Sequence, residues 1–430
     1  MDALVLLGSL FALIALGVPI AYALGIASLI GAIWFDIPLE AVMLKISDGI
    51  SKFSLLAIPF FVLAGAIMAE GGMARRLIAL ASIFVGFIRG GLALVNIVAS
   101  SLFGCISGSS VADTSSIGSV MIPQMERAGY PRVFATNVTI CGSVQAILIP
   151  PSHNAVIYSL AVGGTVSIGH LLIAGFFPGL LLGLSLSILV VITAYREGYP
   201  KGEVIPFRQA VKIAIEAFWG LMTMLIITGG ILGGIFTATE AAAVACAWAF
   251  FVTMFIYRDY KWRDLHLLVH RTMKTVGMVM ILIAFASGFG YMMALMQLPA
   301  KVTQFFLTIS DNKYVILFLI NMLLLFLGTL MDMAPLLLIC TPILLPVVQT
   351  FGVDPVHFGM IMLVNLGIGL VTPPVGSVLF VGCAVAKLTI EQVTRKIWPF
   401  YIAMFVVLML VTYVPAISLW LPNLMLAKLP

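Results

Sequence analysis

The chain has 430 residues, of which 62% are hydrophobic and 9% are charged, and its formal net charge is +5. Soluble domains carry about 25% charged residues, so this composition excludes a soluble globular protein and predicts a multi-span membrane protein embedded in a lipid bilayer. The mean hydropathy of +1.19 agrees with that class. Apolar stretches of the roughly 17–25 residues that span a membrane fill most of the chain, and we expect about ten to twelve membrane segments, some of them broken.

The first long apolar stretch covers residues 3–35. It contains Ala21-Tyr22-Ala23, which resembles a signal-peptidase site, but only Met1-Asp2 precede the apolar run, and a signal peptide needs a basic start. The run also continues past that site to Phe35. We therefore expect a retained first membrane helix, followed by an amphipathic stretch at 36–52 that lies at the membrane interface.

The first break in apolar sequence is the segment CISGSSVADTSS at 105–116. Apolar sequence enters and leaves it, so its glycine and small hydroxyl residues predict the tip of a re-entrant hairpin. Freed carbonyls and the Ser107, Ser109 and Ser110 oxygens are hard ligands for an alkali cation, while half-helix N-termini offer N–H groups to an anion. Asp113 is an ionisable residue in a membrane-embedded segment, and such residues are usually functional.

A helix-packing surface of small residues is the alternative for this segment. It fits the later serines, such as Ser115 and Ser119, better than it fits 107–110, because several helix breakers cluster there beside a carboxylate. The functional interpretation is therefore preferred for 107–113.

A Pro-Pro pair forms the next break, in the sequence Ile149-Pro150-Pro151. Proline has no backbone N–H, so carbonyls upstream of the pair are left to be satisfied by protein, water or an ion. A helix start with side-chain donors follows: Ser152, His153 and Asn154. His153 is either a substrate ligand or a satisfied buried histidine, and the sequence leaves the two interpretations nearly even.

The second half of the chain repeats the first at an offset of 223 residues. Pro150 maps to Pro373 and Gly129 to Gly352 (373 − 150 = 352 − 129 = 223). We divide the chain into repeat one at 1–195, a polar linker at 196–217 and repeat two at 218–430. Each repeat is expected to contain scaffold helices, a hairpin and a Pro-Pro broken helix. The repeats are inverted if each crosses the membrane an odd number of times.

Repeat two supplies a matching hairpin tip and a matching break. The tip, LGTLMDMAP at 327–335, contains Gly328, Thr329 and Asp332. We expect Asp332 to parallel Asp113, either touching a cation or capping a half-helix. At the break, carbonyls from Gly369 to Thr372 precede Pro373-Pro374, and Gly376 and Ser377 begin the next helix.

A duplicated apolar chain whose helices break at matching places is typical of a secondary transporter with its site at the membrane midplane. No Lys or Arg lies in the hairpin tips or the breaks. An anionic substrate would therefore need a co-transported cation, most simply Na⁺. No nucleotide-binding or zinc-protease motif occurs, the five cysteines lack metal-ligand spacing, and no basic tail indicates nucleic acid. A membrane enzyme would need a nucleophile–base or metal constellation with characteristic spacing, which this sequence does not display, and a passive channel would show flux that is independent of any gradient.

At these residues the chain resembles the large membrane subunit of the tripartite ATP-independent periplasmic (TRAP) transporters, over essentially its whole length. The resemblance is carried by SGSSVADT at 107–114, IPPS at 149–152, GIGLVTPPVG at 367–376 and LAIPFFVLAG at 56–65. It implies an all-α protein of the bacterial inner membrane with a mobile transport domain, an elevator mechanism and no enzyme activity.

The resemblance also implies partners and a site. It implies Na⁺-coupled import of an organic acid such as a C4-dicarboxylate, sialic acid or a sugar acid, together with a small four-helix membrane subunit and a periplasmic binding protein. Because no small-subunit sequence precedes residue 1, that subunit is expected to be separate. A stand-alone carboxylate carrier remains the alternative. The Na⁺ ligands implied are Ser107, Ser110, Gly328, Gly369 and Thr372 for one site, and Ile149, Pro150 and Thr329 for a second. From the residues themselves we expect the substrate ligands to be Ser109, Ser110, Asp113, Ser152, His153, Asn154, Asp332, Gly376 and Ser377.

Overall fold

The computed structural model describes residues 2–202 and 204–426, and those residues form helices joined by short loops. In the first half the α-helices are α1 (Asp2–Ala15), α2 (Ile20–Trp34), α3 (Leu39–Ile50), α4 (Ala57–Glu70), α5 (Met73–Val85), α6 (Gly91–Ser107), α7 (Ser110–Arg127), α8 (Arg132–Gly142), α9 (His153–Ala161), α10 (Ile168–Ala174) and α11 (Phe176–Glu197). Short 3₁₀ turns at Phe53–Leu56 and Ser143–Ile147 precede α4 and follow α8.

In the second half the α-helices are α12 (Phe207–Leu232), α13 (Ala238–Phe251), α14 (Leu265–Leu295), α15 (Leu298–Ile309), α16 (Lys313–Leu330), α17 (Met333–Thr350), α18 (Pro355–Gly369), α19 (Ser377–Ala386), α20 (Ile390–Thr394), α21 (Trp398–Tyr413) and α22 (Ala416–Leu426). A π-helical turn, Val252–Tyr257, extends α13, and a 3₁₀ turn, Trp262–Asp264, leads into α14.

Seven helical stretches of the described chain are long and apolar enough to cross a membrane, and the bent pair α21–α22 would add one more. This number is below the ten to twelve segments expected from composition, because several segments are short or broken. The helices α8 with α9, and α18 with α19, are each one crossing divided by a Pro-Pro break. Conversely, α16 and α17 are long enough to span but form the two arms of a hairpin.

The 223-residue offset is visible in the helices themselves. Helix α7 begins at Ser110 and ends at Arg127, while α17 begins at Met333 and ends at Thr350 (333 − 110 = 350 − 127 = 223). Both Pro-Pro peptide bonds are cis, and Gly129 and Gly352 have φ angles of 92° and 68° after the matching hairpins. The two hairpins and the two broken helices are therefore structural copies.

The repeats pack by exchanging partners about a pseudo-twofold axis. Helix α2 packs on α14, and its counterpart α13 packs on α4. In the same way α7 packs on α19 and α17 packs on α9. This exchange of partners is the packing expected of two inverted repeats.

The basic segments of both repeats meet on one face of the molecule. Arg76 forms an ion pair with Asp259 at 2.6 Å, and Arg271 forms one with Glu70 at 3.2 Å. The Tyr257 hydroxyl donates to the Glu216 carbonyl, which connects the start of α12 to the same face. Thr237 and Glu240 form a capping box at the start of α13.

Candidate functional site

The first hairpin tip packs directly against the Pro-Pro break of its own repeat. Gly108 ends α6 with a φ of 59°, and a Cβ at this position would overlap the Pro151 carbonyl oxygen. The Ser109 hydroxyl accepts the Ala112 N–H at 3.3 Å and so caps α7. Glycine at position 108 is therefore required both by the left-handed backbone and by the closeness of the break.

Hydroxyl groups line the contact between this tip and the break. Ser110 Oγ lies 2.7 Å from Ser143 Oγ, and Ser143 belongs to the 3₁₀ turn that leads to the break. The Ser152 hydroxyl donates to the Ile147 carbonyl at 2.6 Å. Ser107 is also buried at this tip, and a Cβ on Gly65 of α4 would lie 2.9 Å from the Ser107 carbonyl oxygen. These oxygens form one polar cluster within repeat one.

The second hairpin tip repeats this arrangement with different residues. A Cβ on Gly369 would come within 2.8 Å of Gly328 Cα, so the tip and the broken helix touch through their backbones. The Val375 N–H donates to the Thr329 carbonyl at 3.0 Å, which holds the segment after the prolines against the tip. The Thr372 hydroxyl donates to the Ile368 carbonyl at 2.7 Å.

These contacts regroup the expected cation ligands. Ser107, Ser110, Ile149 and Pro150 belong to the first tip and the first break, whereas Gly328, Thr329, Gly369 and Thr372 belong to the second. The resemblance implies one site that draws on Ser107, Ser110 and Gly369, whereas the contacts place the two serines in the first pair and Gly369 in the second. The pseudo-twofold axis explains the difference, because each tip packs on the broken helix of its own repeat.

Between the two clusters, residues of both repeats meet at His153. Helix α9, which begins at His153, packs on α17, whose N-cap residue is Asp332, and this places the His153 ring within the electrostatic reach of the Asp332 carboxylate. Ser377 Oγ donates to Asp332 Oδ1 at 3.3 Å. His153, Asp332 and Ser377, all expected from sequence to bind substrate, are thus brought together by α9, α17 and α19. Asn154 and Ser152 follow and precede His153 and are buried.

Asp332 and Asp113 do not occupy equivalent positions. Asp332 is the N-cap residue of α17, and it corresponds to Ser109, the N-cap residue of α7 (332 − 109 = 223). The expected parallel between the two acids is therefore wrong. Unlike the Ser109 hydroxyl, the Asp332 carboxylate accepts no hydrogen bond from its own helix, so it is available to Ser377 and His153.

Asp113 lies inside the first hairpin and is fully buried. Neither carboxylate oxygen has a hydrogen-bond partner, and the nearby buried hydroxyl of Ser100 has none either. Asp113 is thus packed inside the hairpin, and its expected role as a substrate ligand stays a prediction. A buried carboxylate without a partner is costly, which makes this position a candidate for functional constraint.

Two contributors were not identified from the sequence. Ser143 touches Ser110, and a Gly-Ser pair seven residues before the prolines is the only signal that could have indicated it. Tyr401 donates its hydroxyl to the Val371 carbonyl at 2.8 Å and satisfies one of the groups freed by the second break. No local pattern connects Tyr401 with residues 30 positions away.

Comparison with known proteins identifies the family. The model of the tripartite ATP-independent periplasmic transporter DctM component matches residues 7–417. The chain is 42% identical to the uncharacterized protein YgiK of Salmonella typhimurium, covering 98% of this chain and 97% of that one. It is 39% identical to the C4-dicarboxylate TRAP transporter large permease DctM of Rhodobacter capsulatus, covering 99% and 100%.

Two further similarities are informative. The sialic acid TRAP transporter large permease SiaM of Vibrio cholerae is 40% identical to this chain, and the alignment covers 88% of each of the two chains. Among solved structures, the Alcanivorax borkumensis YdaH transporter superposes with a TM-score of 0.62 over 89% of this chain and 90% of its own, at 16% identity, which supports the fold alone. The matches over nearly the whole length show that the chain belongs to the tripartite ATP-independent periplasmic transporter family, as a DctM component.

Proposed function

We propose that this chain is the large permease of a Na⁺-coupled, binding-protein-dependent importer of an organic acid. The observation that carries the proposal is the pairing of each hairpin tip with the Pro-Pro break of its own repeat. In both pairs, hydroxyl and carbonyl oxygens converge where helix hydrogen bonding is interrupted. Such oxygens suit an alkali cation, and two copies around one pseudo-axis would hold ions on either side of a substrate.

The central group formed by His153, Asp332 and Ser377 supports a substrate site between the two ion positions. It contains helix starts from both repeats, whose N–H groups favour a carboxylate. Named relatives transport C4-dicarboxylate and sialic acid, both of which are organic acids. We therefore infer a carboxylate substrate, with Na⁺ neutralising the charge that no Lys or Arg meets in the tips or breaks.

The proposed motion is an elevator. The hairpins with the broken helices would form the moving domain, and α1–α4 with α12–α14 the scaffold. The backbones of Gly65 on α4 and Ser107 on α6 lie close together with no side chain between them. This close contact supports a sliding interface between the scaffold and the moving domain. The basic face formed by 75–76, 196–212 and 258–274 is assigned to the cytoplasm, because Lys and Arg are enriched in loops on that side. The partners proposed are a small membrane subunit and a periplasmic binding protein.

Radiolabelled uptake into proteoliposomes tests the proposal. The vesicles contain this chain with its small membrane subunit, and organic acids are added with the cognate binding protein. We expect uptake only when both an inward Na⁺ gradient and the binding protein are present. Uptake by this chain without the binding protein would instead establish the stand-alone carrier, and flux independent of any gradient would establish a channel.

A further inference from the structure

A basic cavity lies on the proposed cytoplasmic face, and none of its lining residues belongs to either hairpin tip. It has a volume of about 610 Å³ and is lined by Phe87, Ile88, Arg89, Tyr195 and the segment 198–201. The turn between α5 and α6 forms one wall. The end of α11 and the start of the linker between the repeats form the other. The cavity therefore contacts both the segment that enters the first hairpin and the connection to repeat two.

Backbone contacts fix the two walls against each other. Arg89 and Lys201 form an isolated antiparallel bridge, and the Gly90 N–H donates to the Pro200 carbonyl at 3.1 Å. A Cβ on Gly202 would overlap the Gly86 carbonyl oxygen, so the linker lies directly on the turn. Main-chain pairing therefore keeps Arg89 and Lys201 next to each other, whatever rotamers their long side chains adopt.

The Arg89 guanidinium is oriented but retains donors for a ligand. Its Nε donates to the Tyr199 carbonyl at 3.1 Å, and its Cζ lies 5.7 Å from the centroid of the Tyr195 ring. Neither Arg89 nor Lys201 forms an ion pair with any residue in the ranges 2–202 and 204–426. The terminal nitrogens of an arginine fixed in this way suit the oxygens of a phosphate.

Apolar and aromatic side chains form part of the remaining lining. Tyr195 is 63% exposed and Phe87 is 39% exposed, although both are large hydrophobic or aromatic side chains. Aromatic rings at the ends of membrane helices lie at the level of the lipid headgroups. An inorganic phosphate would use the charges but not this apolar wall, whereas a phospholipid would use both.

We propose that Arg89 and Lys201, with Tyr195 and Phe87, form a binding site for the phosphate of an anionic phospholipid from the cytoplasmic leaflet. Basic residues beside membrane helices attract anionic headgroups in this way. The site is independent of the transported substrate. A lipid bound there would connect the turn before the first hairpin with the linker between the repeats.

Native mass spectrometry of the purified chain in neutral detergent tests the site. Phosphatidylglycerol is titrated against phosphatidylcholine, and the fraction of protein that retains one lipid is measured. The double variant Arg89→Gln/Lys201→Gln should bind phosphatidylglycerol about 30-fold more weakly. Each basic residue near an anionic headgroup contributes about fivefold to the affinity, and two such residues are removed. Phosphatidylcholine binding should not change.

A matched control is the double variant Arg208→Gln/Lys212→Gln. It removes two exposed basic residues from the same face but outside the cavity, and it should keep the phosphatidylglycerol affinity. Equal weakening in both double variants would overturn the site in favour of general surface charge. Inorganic phosphate that protects the protein equally against thermal unfolding, without any retained lipid, would also overturn it. Size-exclusion profiles confirm that both variants fold.

Discussion

Gly369 and Gly328 face each other across a contact that leaves no room for a side chain on Gly369 and little room for one on Gly328. A Cβ on Gly369 would lie 2.8 Å from Gly328 Cα and 2.8 Å from its carbonyl oxygen. This contact joins the end of α18 to the second hairpin tip, and thus joins the oxygens that we assign to one of the ions. The distance between the two backbones therefore sets the size of the proposed cation position.

Gly369→Ala should accordingly reduce Na⁺ binding. Forcing extra atoms into a packed contact costs about 1–3 kcal/mol, which corresponds to about 5- to 150-fold in affinity if it separates the tip from the break. The Na⁺ concentration for half-maximal uptake measures the effect. Gly290→Ala is the matched control, because a Cβ on Gly290 of α14 meets nothing within 4 Å. Equal Na⁺ dependence in the two variants would contradict the assignment.

Ser110→Ala tests the first cation position. It removes the hydroxyl that lies 2.7 Å from Ser143 Oγ, and we expect about tenfold weaker Na⁺ stimulation, since a polar contact to a charged group is worth about 1.5–3 kcal/mol. Ser115→Ala serves as the comparison. Its hydroxyl is exposed and donates only to the Ala112 carbonyl of the same helix, so its loss should leave uptake unchanged. Normal Na⁺ stimulation in Ser110→Ala would remove this residue from the site.

Asp332→Asn should impair substrate uptake without preventing membrane insertion. The amide keeps the shape of the side chain but removes the charge beside His153, and it changes the acceptor for Ser377. We expect uptake to fall by about tenfold or more, as for a charged hydrogen-bond partner. Insertion is checked by the amount of folded protein in the membrane fraction. Wild-type uptake would reduce Asp332 to a helix-end residue.

Asp113→Asn should have a different profile, because this carboxylate is buried without a hydrogen-bond partner. Replacing it by an amide of the same shape removes the cost of burying a carboxylate charge and should raise the temperature of thermal unfolding in Na⁺-free detergent. Thermal unfolding followed by tryptophan fluorescence measures the change. A lower unfolding temperature would show instead that the carboxylate has a stabilising partner that asparagine cannot replace.

The repeat and its breaks could be predicted because they are local and duplicated. Proline pairs and glycines fix the backbone wherever they occur, so residues such as Pro150 and Gly129 indicate the same geometry in both copies. The predicted equivalence of Asp332 and Asp113 rested on the fact that both residues are acidic. The helix bounds show instead that Asp332 corresponds to Ser109 at the 223-residue offset.

Contacts between distant segments could not be predicted in the same way. Nothing in the sequence near His153 indicates that Asp332 lies beside it, because that contact follows from α17 packing on α9 across the pseudo-axis. The burial of Asp113 is similar. Its position in the first turn of α7 is local, but the side of the hairpin it faces depends on how α6 and α8 pack on that helix.

The exchange of partners between repeats means that neither half of the chain buries all of its helix surfaces within itself. Helix α2 needs α14, α4 needs α13, and the same dependence holds for α7 with α19 and α9 with α17. A gene encoding only one repeat would thus give a functional bundle only by inserting into the membrane in both directions and assembling as an antiparallel homodimer. Duplication followed by fusion would make that arrangement permanent, and afterwards each half could diverge while the other kept a complementary surface.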